Sequence, residues 1–425
     1  PDGLPNGGDD LELRTQTAAD GTYLFTTLPA GNFETVVDPT TLPTGLESTF
    51  DPDTGTVTPD GVSALAVAVG EVVTDHDYGF AGTSSIGGTV WFDRDGDGAI
   101  GADEPGLGGV GVDLVWTTVF GPQTFGTITD ADGDYLFESV PTGAVIVDVD
   151  EGSLPGSVTA TFDLDGGLDG RSAATLVAGT TNLDHDFGYR GDASIGDLVW
   201  LDLDGDGVST PDEPGVPAQS VELTWQSSAG PISWSTTTDE DGGYGFDSLA
   251  DGDYAVTIVG GVTTLAENTG DPGGDADSTN NLTISSGSSD LDQDFGYHGQ
   301  NTVGDLVWAD NDRDGMFDAT EQPLENIMVG ATWHGPDGVV GTSDDVRLPT
   351  GTTDALGQYT LPGLPDGNYT ISVESGVPPG VDEPSYDVDD GVTDPNGSSI
   401  LTDLGVAGPE VDLDVDFGFS GRGRI

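Results

Sequence analysis

Ile195-Gly-Asp-Leu-Val-Trp200-Leu-Asp202-Leu-Asp204-Gly-Asp206-Gly207, closed by Glu213-Pro-Gly215, sets the organisation of this chain. Hydrophobic residues alternate as far as Trp200, the pattern of a strand with one buried face, and then give way to an acidic turn-rich loop. The same block returns at Ile86 to Trp91 with Asp93 to Glu104, and at Val303 to Trp308 with Asp310 to Glu321, so the copies stand roughly 110 residues apart. A period of that length is a tandem array of domains.

Each loop carries aspartate at positions one, three and five, glycine at six and glutamate at twelve, which is the ligand spacing of an EF-hand calcium loop. The oxygen donors are Asp93, Asp95, Asp97, the Ala99 carbonyl and Glu104 in the first loop. They are Asp202, Asp204, Asp206, the Val208 carbonyl and Glu213 in the second, and Asp310, Asp312, Asp314, the Met316 carbonyl and Glu321 in the third. An all-oxygen set suits Ca2+, and a solvated acidic turn is the bland alternative. Two like charges ~5 Å apart repel by about 3 kcal/mol at an effective dielectric of 20, so four clustered carboxylates need a cation to hold one shape. The segment before each loop is a strand and no flanking helices occur, so calcium is expected to stabilise rather than to signal.

Composition agrees. The chain has 425 residues, 68 glycines, 26 prolines and no cysteine, and its short alternating Val, Thr and aromatic runs give an all-β class. The formal charge is −69, and all eight basic residues are arginine. Such a surface repels nucleic acid and anionic membranes and attracts cations; adaptation to high salt is a separate account of the charge. No run of about 18 apolar residues is present, so no helix spanning a bilayer is expected.

Later in each unit come an alternating strand (Val110 to Trp116), a turn and strand (Asp132 to Phe137), another strand (Ala144 to Val149) and a closing Asp-x-Asp-aromatic-Gly-aromatic motif. The closing motif starts at Asp75, Asp184, Asp292 and Asp414. Short strands with turns between them give a β-sandwich in each unit. The expected domains are 1–81, a partial repeat without opening strand or acidic loop; 84–191; 193–299; 302–420, with an insertion; and 421–425, the start of a further repeat. The five residues 81–85, 190–194, 298–302 and 420–424 separate closing aromatic from opening hydrophobe each time, which predicts a constant angle between neighbours and an elongated rod.

Weaker second cation sites are expected where the closing pairs Asp75 and Asp77, Asp184 and Asp186, Asp292 and Asp294, and Asp414 and Asp416 meet upstream acids. Those acids are Asp51 and Asp53; Asp163, Asp165 and Asp169; Asp271, Asp275 and Asp277; and Asp387, Asp389 and Asp390. Period-two alternation would put both carboxylates of a closing pair on one strand face; plain surface charge is the alternative. Asp130-x-Asp132-Gly-x-Tyr135 and its copy at Asp239 keep only Gly-x-Tyr in the other repeats and are expected to be a hairpin turn. The insertion Gly335-Pro-Asp337-Gly338 to Asp344-Asp345, matched by Pro1 to Asp10, is either another acidic loop or a long hairpin.

His76 and His185 lie inside closing motifs where Gln293 and Val415 stand in the other copies, and His298 and His334 are isolated, so no catalytic base is indicated. Trp91, Trp200 and Trp308 are expected in the core, with sugar stacking as the alternative.

Ile195 to Trp200, Asp202 to Gly207, Glu213-Pro-Gly215, Asp130 to Tyr135 and Asp184 to Tyr189, in this order, resemble the B-type domains of staphylococcal serine-aspartate repeat surface proteins, relatives of the collagen-adhesin B-type fold. The resemblance covers nearly the whole chain. It implies tandem Ig-like sandwiches, extracellular and rigidified by calcium bound in the three acidic loops, serving as a stalk that projects a binding region. Many collagen-adhesin domains lock themselves with an isopeptide bond from lysine; this chain has no lysine and cannot form one. The expected function is therefore a structural stalk or filament, with identical chains as possible fibre partners. The rival is an adhesin whose repeats grip carbohydrate or host protein; an enzyme is a distant third. The incomplete first repeat also admits strand addition from another chain, although continuous tandem repeats are the favoured reading, because Arg422 to Ile425 would supply too little strand.

Overall fold

The computed structural model describes residues 11–53, 58–118, 121–228, 230–260, 267–389, 394–406 and 408–421. Pro1 to Asp10, Asp390 and most of 421–425, three segments carrying expectations above, lie outside these. The chain divides into two compact units, Pro1–Leu154 with Val158–Arg190 and Ser228–Gly230, and Pro155–Ser157 with Gly191–Ser227 and Pro231–Ile425.

Two sheets make the sandwich in the second repeat. The opening strand Ser84–Phe92 pairs antiparallel with Asp134–Val140 and parallel with the closing strand Phe187–Gly191, whose outer neighbour is Val158–Asp163. The facing sheet has the order Arg171–Leu176, Gly143–Val149, Gly111–Thr118, Gly121–Ile128. Alternation puts Ile86, Val90, Val112, Leu114, Val145, Val147 and Phe187 between the sheets, each at most 2% exposed. The expected all-β class is what the chain adopts.

The third and fourth repeats repeat this plan. Ala193–Leu201 pairs with Gly243–Leu249 and, in parallel, with Phe295–His298; Asn301–Ala309 pairs with Gln358–Leu364 and, in parallel, with Phe417–Ser420. Trp91, Trp200 and Trp308 end the opening strands at 1%, 3% and 2% exposure, so they are core residues and not a stacking surface for sugars.

Residues 11–82 form two two-stranded pieces, Gly31–Val36 with Val62–Val67 and Leu46–Phe50 with Gly79–Gly82. Tyr23-Leu-Phe25, which matches the Tyr135-Leu-Phe137 strand segment of the next repeat, is not a strand. Its counterparts owe their ladder to an opening strand, and none lies beside it among the described residues.

The junctions are tighter than a five-residue spacer suggests, because most of those residues belong to strands. Gly79–Gly82 ends one residue before Ser84–Phe92, and Phe295–His298 ends two residues before Asn301–Ala309. A β-carbon on Gly82 would fall 2.0 Å from the Val140 carbonyl carbon, and one on Gly299 would fall 2.1 Å from that of Leu364. Glycine is required there by close backbone approach.

Candidate metal centres

The parallel ladder places each acidic loop. Opening and closing strands run side by side to the end, where the backbone N–H of Asp93, Asp202 and Asp310 donates to the carbonyl of Tyr189, Tyr297 and Phe419, each at 2.8 Å. The first aspartate of every loop is thus fully buried above its tryptophan.

Backbone amides then wrap around it. Gly96 and Gly98 donate to Asp93 at 2.9 and 3.1 Å, and Gly205 and Gly207 donate to Asp202 at 2.7 and 2.8 Å. Arg313 and Gly315 donate to Asp310 at 2.6 and 3.3 Å. Position six has φ of +76, +75 and +75° in Gly98, Gly207 and Gly315, a conformation that favours glycine. The N–H of Ala99, Val208 and Met316 donates at 2.8 Å to Asp97, Asp206 and Asp314 respectively. The glutamates close the loops: Glu104 accepts from Gly101 at 2.8 Å, Glu213 from Thr210 at 2.9 Å and Glu321 from Asn311 at 2.6 Å.

Carboxylate oxygens converge accordingly. Asp93, Asp95, Asp97 and Glu104 bring one oxygen each within 4.8 Å of one another; so do Asp202, Asp204 and Asp206, and Asp310, Asp312 and Glu321. Glu213 and Asp314 stand outside those sets. Burial alone would raise the Asp202 carboxyl, but the nearby Thr269 hydroxyl and hydrogen bonds from the Gly207 and Gly205 amides outweigh it and hold the pKa below the usual carboxylate range. Glu321 goes the other way: its burial, helped by the charges of Asp310 and Asp318, raises it despite two backbone N–H donors. A buried carboxylate amid like charges is the donor chemistry that a hard divalent cation neutralises, so these residues fit calcium.

The weaker sites are arranged differently. Asp184 and Asp186, expected on one strand face, precede the closing strand, and Leu183 to Asp186 is not extended ladder. Asp184 is exposed, while Asp186 accepts from the Thr89 N–H at 2.8 Å; Asp294 and Asp416 accept from Leu198 and Leu306 at 3.2 and 3.0 Å. Each second aspartate thus ties the closing motif to the opening strand. Asp271, Asp275 and Asp277 do converge, but without Asp292 or Asp294. Upstream, Asp51, Asp163 and Asp387 are buried turn caps, accepting from the N–H of Asp60 at 2.8 Å, Asp169 at 3.1 Å and Asn396 at 2.7 Å. Within the insertion, Asp344 accepts from Asp337 N–H at 3.1 Å and Asp345 from Gly341 N–H at 2.6 Å, which makes it a self-closed loop.

Burial comes first, and the neighbouring Asp197 charge second, in pushing Asp294 up to about 6; burial and the charges of Asp305, Asp414 and Asp412 push Asp416 up to about 6. Folding favours their protonated forms, so their contribution is present below the unfolded value near 4 and lost as pH rises through about 6. Both are half exposed, so solvent screening reduces the cost of ionisation to about 1 kcal/mol each. Asp294→Asn keeps the acceptor for Leu198 N–H and removes the charge. Its thermal midpoint should exceed that of the parent at about pH 7.5 and approach it only below about pH 3.5; a midpoint lowered at pH 7.5 would mean that Asp294 carries a cation instead.

Sequence reasoning missed two contributors. The tyrosine of Gly-x-Tyr, read only as a turn residue, hydrogen-bonds the closing motif: Tyr135 reaches the His185 carbonyl at 2.5 Å, Tyr244 that of Gln293 at 2.6 Å and Tyr359 that of Val415 at 2.7 Å. Tyr23 makes the same bond to the His76 carbonyl. His298, read as isolated, contacts the second acidic loop, its Nδ1–H donating to the Asp202 carbonyl at 2.7 Å. The repeated Tyr was the available signal for the first; nothing in one sequence marks the second.

A family model for the SdrD B-like domain matches residues 84–189, 193–297 and 301–419. The chain belongs to the SdrD B-like domain family. Among curated relatives, serine-aspartate repeat-containing protein F of Staphylococcus epidermidis is 30% identical over 358 residues, spanning 79% of this chain and 19% of that protein. Serine-aspartate repeat-containing protein D of Staphylococcus aureus strain Newman is 28% identical over 414 residues, spanning 95% of this chain and 30% of that protein. This chain therefore spans less than a third of either relative. A streptococcal ancillary pilin aligns over 80% of this chain and 99% of its own at 12% identity and a TM-score of 0.29, too loose a superposition to add to the assignment. The SdrD B-like family places the chain among the repeat domains of cell-surface proteins. No helix among the described residues is long and apolar enough to cross a membrane.

Proposed function

We propose that this chain is a calcium-rigidified segment of an extracellular stalk or filament at a prokaryotic cell surface. The observation that carries the reading is the convergence of loop carboxylates around a buried first aspartate in three successive repeats. Calcium would be held by the carboxylates at positions one, three, five and twelve, with the carbonyls of Ala99, Val208 and Met316 at position seven. The ion supplies positive charge that the acidic loops lack.

What the chain's own residues do is then mechanical. Each loop joins the end of an opening strand to the segment that pairs back on it, since Phe92 N–H donates to the Pro105 carbonyl at 2.9 Å and Leu201 N–H to that of Pro214 at 2.8 Å. Fixing the loop fixes that return. Without lysine or cysteine, neither isopeptide nor disulfide crosslinks are open to this sequence, which leaves a metal as its staple. Association of identical chains into a fibre is part of the proposal.

Small-angle scattering tests it. In about 5 mM calcium the full chain should give an extended, rigid profile; in excess chelator at matched ionic strength it should become more compact and flexible. Superimposable profiles would reject calcium as the stiffening agent and leave the acidic surface to salt adaptation.

A further inference from the structure

The acidic loop at Asp202 to Glu213 meets the fourth repeat as well as its own. His298 closes the third repeat, and its ring lies between the two. On one side Nδ1–H donates to the Asp202 carbonyl at 2.7 Å, and a β-carbon on loop residue Gly205 would lie 3.8 Å from the ring. On the other side stands Gly363, in the fourth-repeat strand Gln358–Leu364. A β-carbon there would lie 2.8 Å from the Leu203 carbonyl oxygen and 3.1 Å from His298 Cε1.

Backbone conformation does not account for that glycine. Gly363 has φ of +72°, but the same place in the other repeats is held by Thr27, Ser139 and Ser248 at +60, +58 and +60°. Three repeats carry a β-carbon in this left-handed conformation. The fourth omits it where a β-carbon would strike the loop and the histidine of the repeat before. The contact, not the turn, requires glycine.

Resting on the calcium reading above, we propose that this loop and the fourth repeat form one cooperative unit, in which His298 and Gly363 couple cation occupancy of the loop to docking of the next repeat. Linkage is reciprocal: whatever docking adds to cation affinity, the cation adds to docking. Loop backbone pulled into a fixed path by the cation presents the Leu203 carbonyl and the histidine as a finished surface; a loop splayed by carboxylate repulsion does not.

The test uses the full chain carrying Asp93→Asn and Asp310→Asn, so that one intact loop remains. Terbium bound there is read by luminescence sensitised through Trp200, and calcium by its competition. Gly363→Ser restores the residue type of the other repeats, and His298→Ala removes the bridge without adding bulk. Each should weaken calcium binding at least about fivefold, the lower end of ordinary coupling. Because the chain has no cysteine, nitroxides at Asn281→Cys and Ile400→Cys, both exposed, report the inter-repeat distance. That distribution should be narrow in calcium and broad in chelator or in Gly363→Ser. Unchanged affinity and unchanged distances in both variants, with the parent binding normally, overturn the coupling alone. A parent that binds neither ion overturns the calcium reading and the coupling together.

Discussion

Chelating divalent cations is expected to lower the thermal midpoint of the intact chain by about 10 °C. Extracellular calcium modules bind with Kd near 10⁻⁴ to 10⁻³ M, and a ligand at tenfold to hundredfold excess stabilises its domain by about 1.4 to 2.7 kcal/mol. For a domain of about 100 residues each kcal/mol moves the midpoint by roughly 4 °C or more. The buried first aspartate sharpens the effect: without a cation, Asp93, Asp202 and Asp310 remain fully buried beside other carboxylates. Asp202→Asn should remove the calcium dependence of the third repeat's transition, leave that of the second, and weaken that of the fourth, which docks on the same loop. Calorimetry in about 10 mM calcium and in chelator checks this; midpoints agreeing within about 2 °C would show that the loops hold themselves.

The largest effect of one substitution is expected at Gly215. It follows the loop glutamate by two residues and bridges Trp200 across the strand end, as Gly106 bridges Trp91. A β-carbon on Gly215 would fall 1.8 Å from the Asp241 carbonyl oxygen and 2.2 Å from its carbon; on Gly106 the matching distances to Asp132 are 1.9 and 2.2 Å. These neighbours are backbone, so no rotamer change relieves the overlap. Nor can the turn retreat, because the Gly242 carbonyl accepts the Val199 N–H at 2.9 Å. Gly215→Ala should cost more than about 3 kcal/mol, the upper range for overpacking, and shift one denaturant transition to lower concentration. Calcium affinity at Asp202 should fall with it, since Glu213 rides on the same segment. An unaltered transition would mean that the turn beneath is softer than its bonds imply.

Opening strands, the clustering of carboxylates in the acidic loops and tryptophan burial were legible because they depend on local order: alternation with period two, the spacing of the acids, and a large apolar residue at a fixed place. The closing Asp-x-Asp was misread for a physical reason. Alternation places side chains only within paired strand, and Leu183 to Asp186 approaches the opening strand through an aspartate side chain instead of a ladder. Tyr135, Gly106 and Gly363 act on residues remote in sequence, and their contacts follow from packing that no local pattern encodes. Gly106 and Gly363 both look like turn glycines in isolation, yet only close approach distinguishes what each does.

In each complete repeat the first and last strands are immediate parallel neighbours, with Val90 opposite Phe187, Val199 opposite Phe295 and Val307 opposite Phe417. Tension entering at the start of the opening strand and leaving at the end of the closing strand therefore slides these two past each other. Their hydrogen bonds and the Asp93-type bond beyond them bear the load together, not one at a time as in a zipper. The rest of each sandwich lies off the line of force. A pulled chain would thus resist through one short shear clamp per repeat, locked at its far end by the acidic loop.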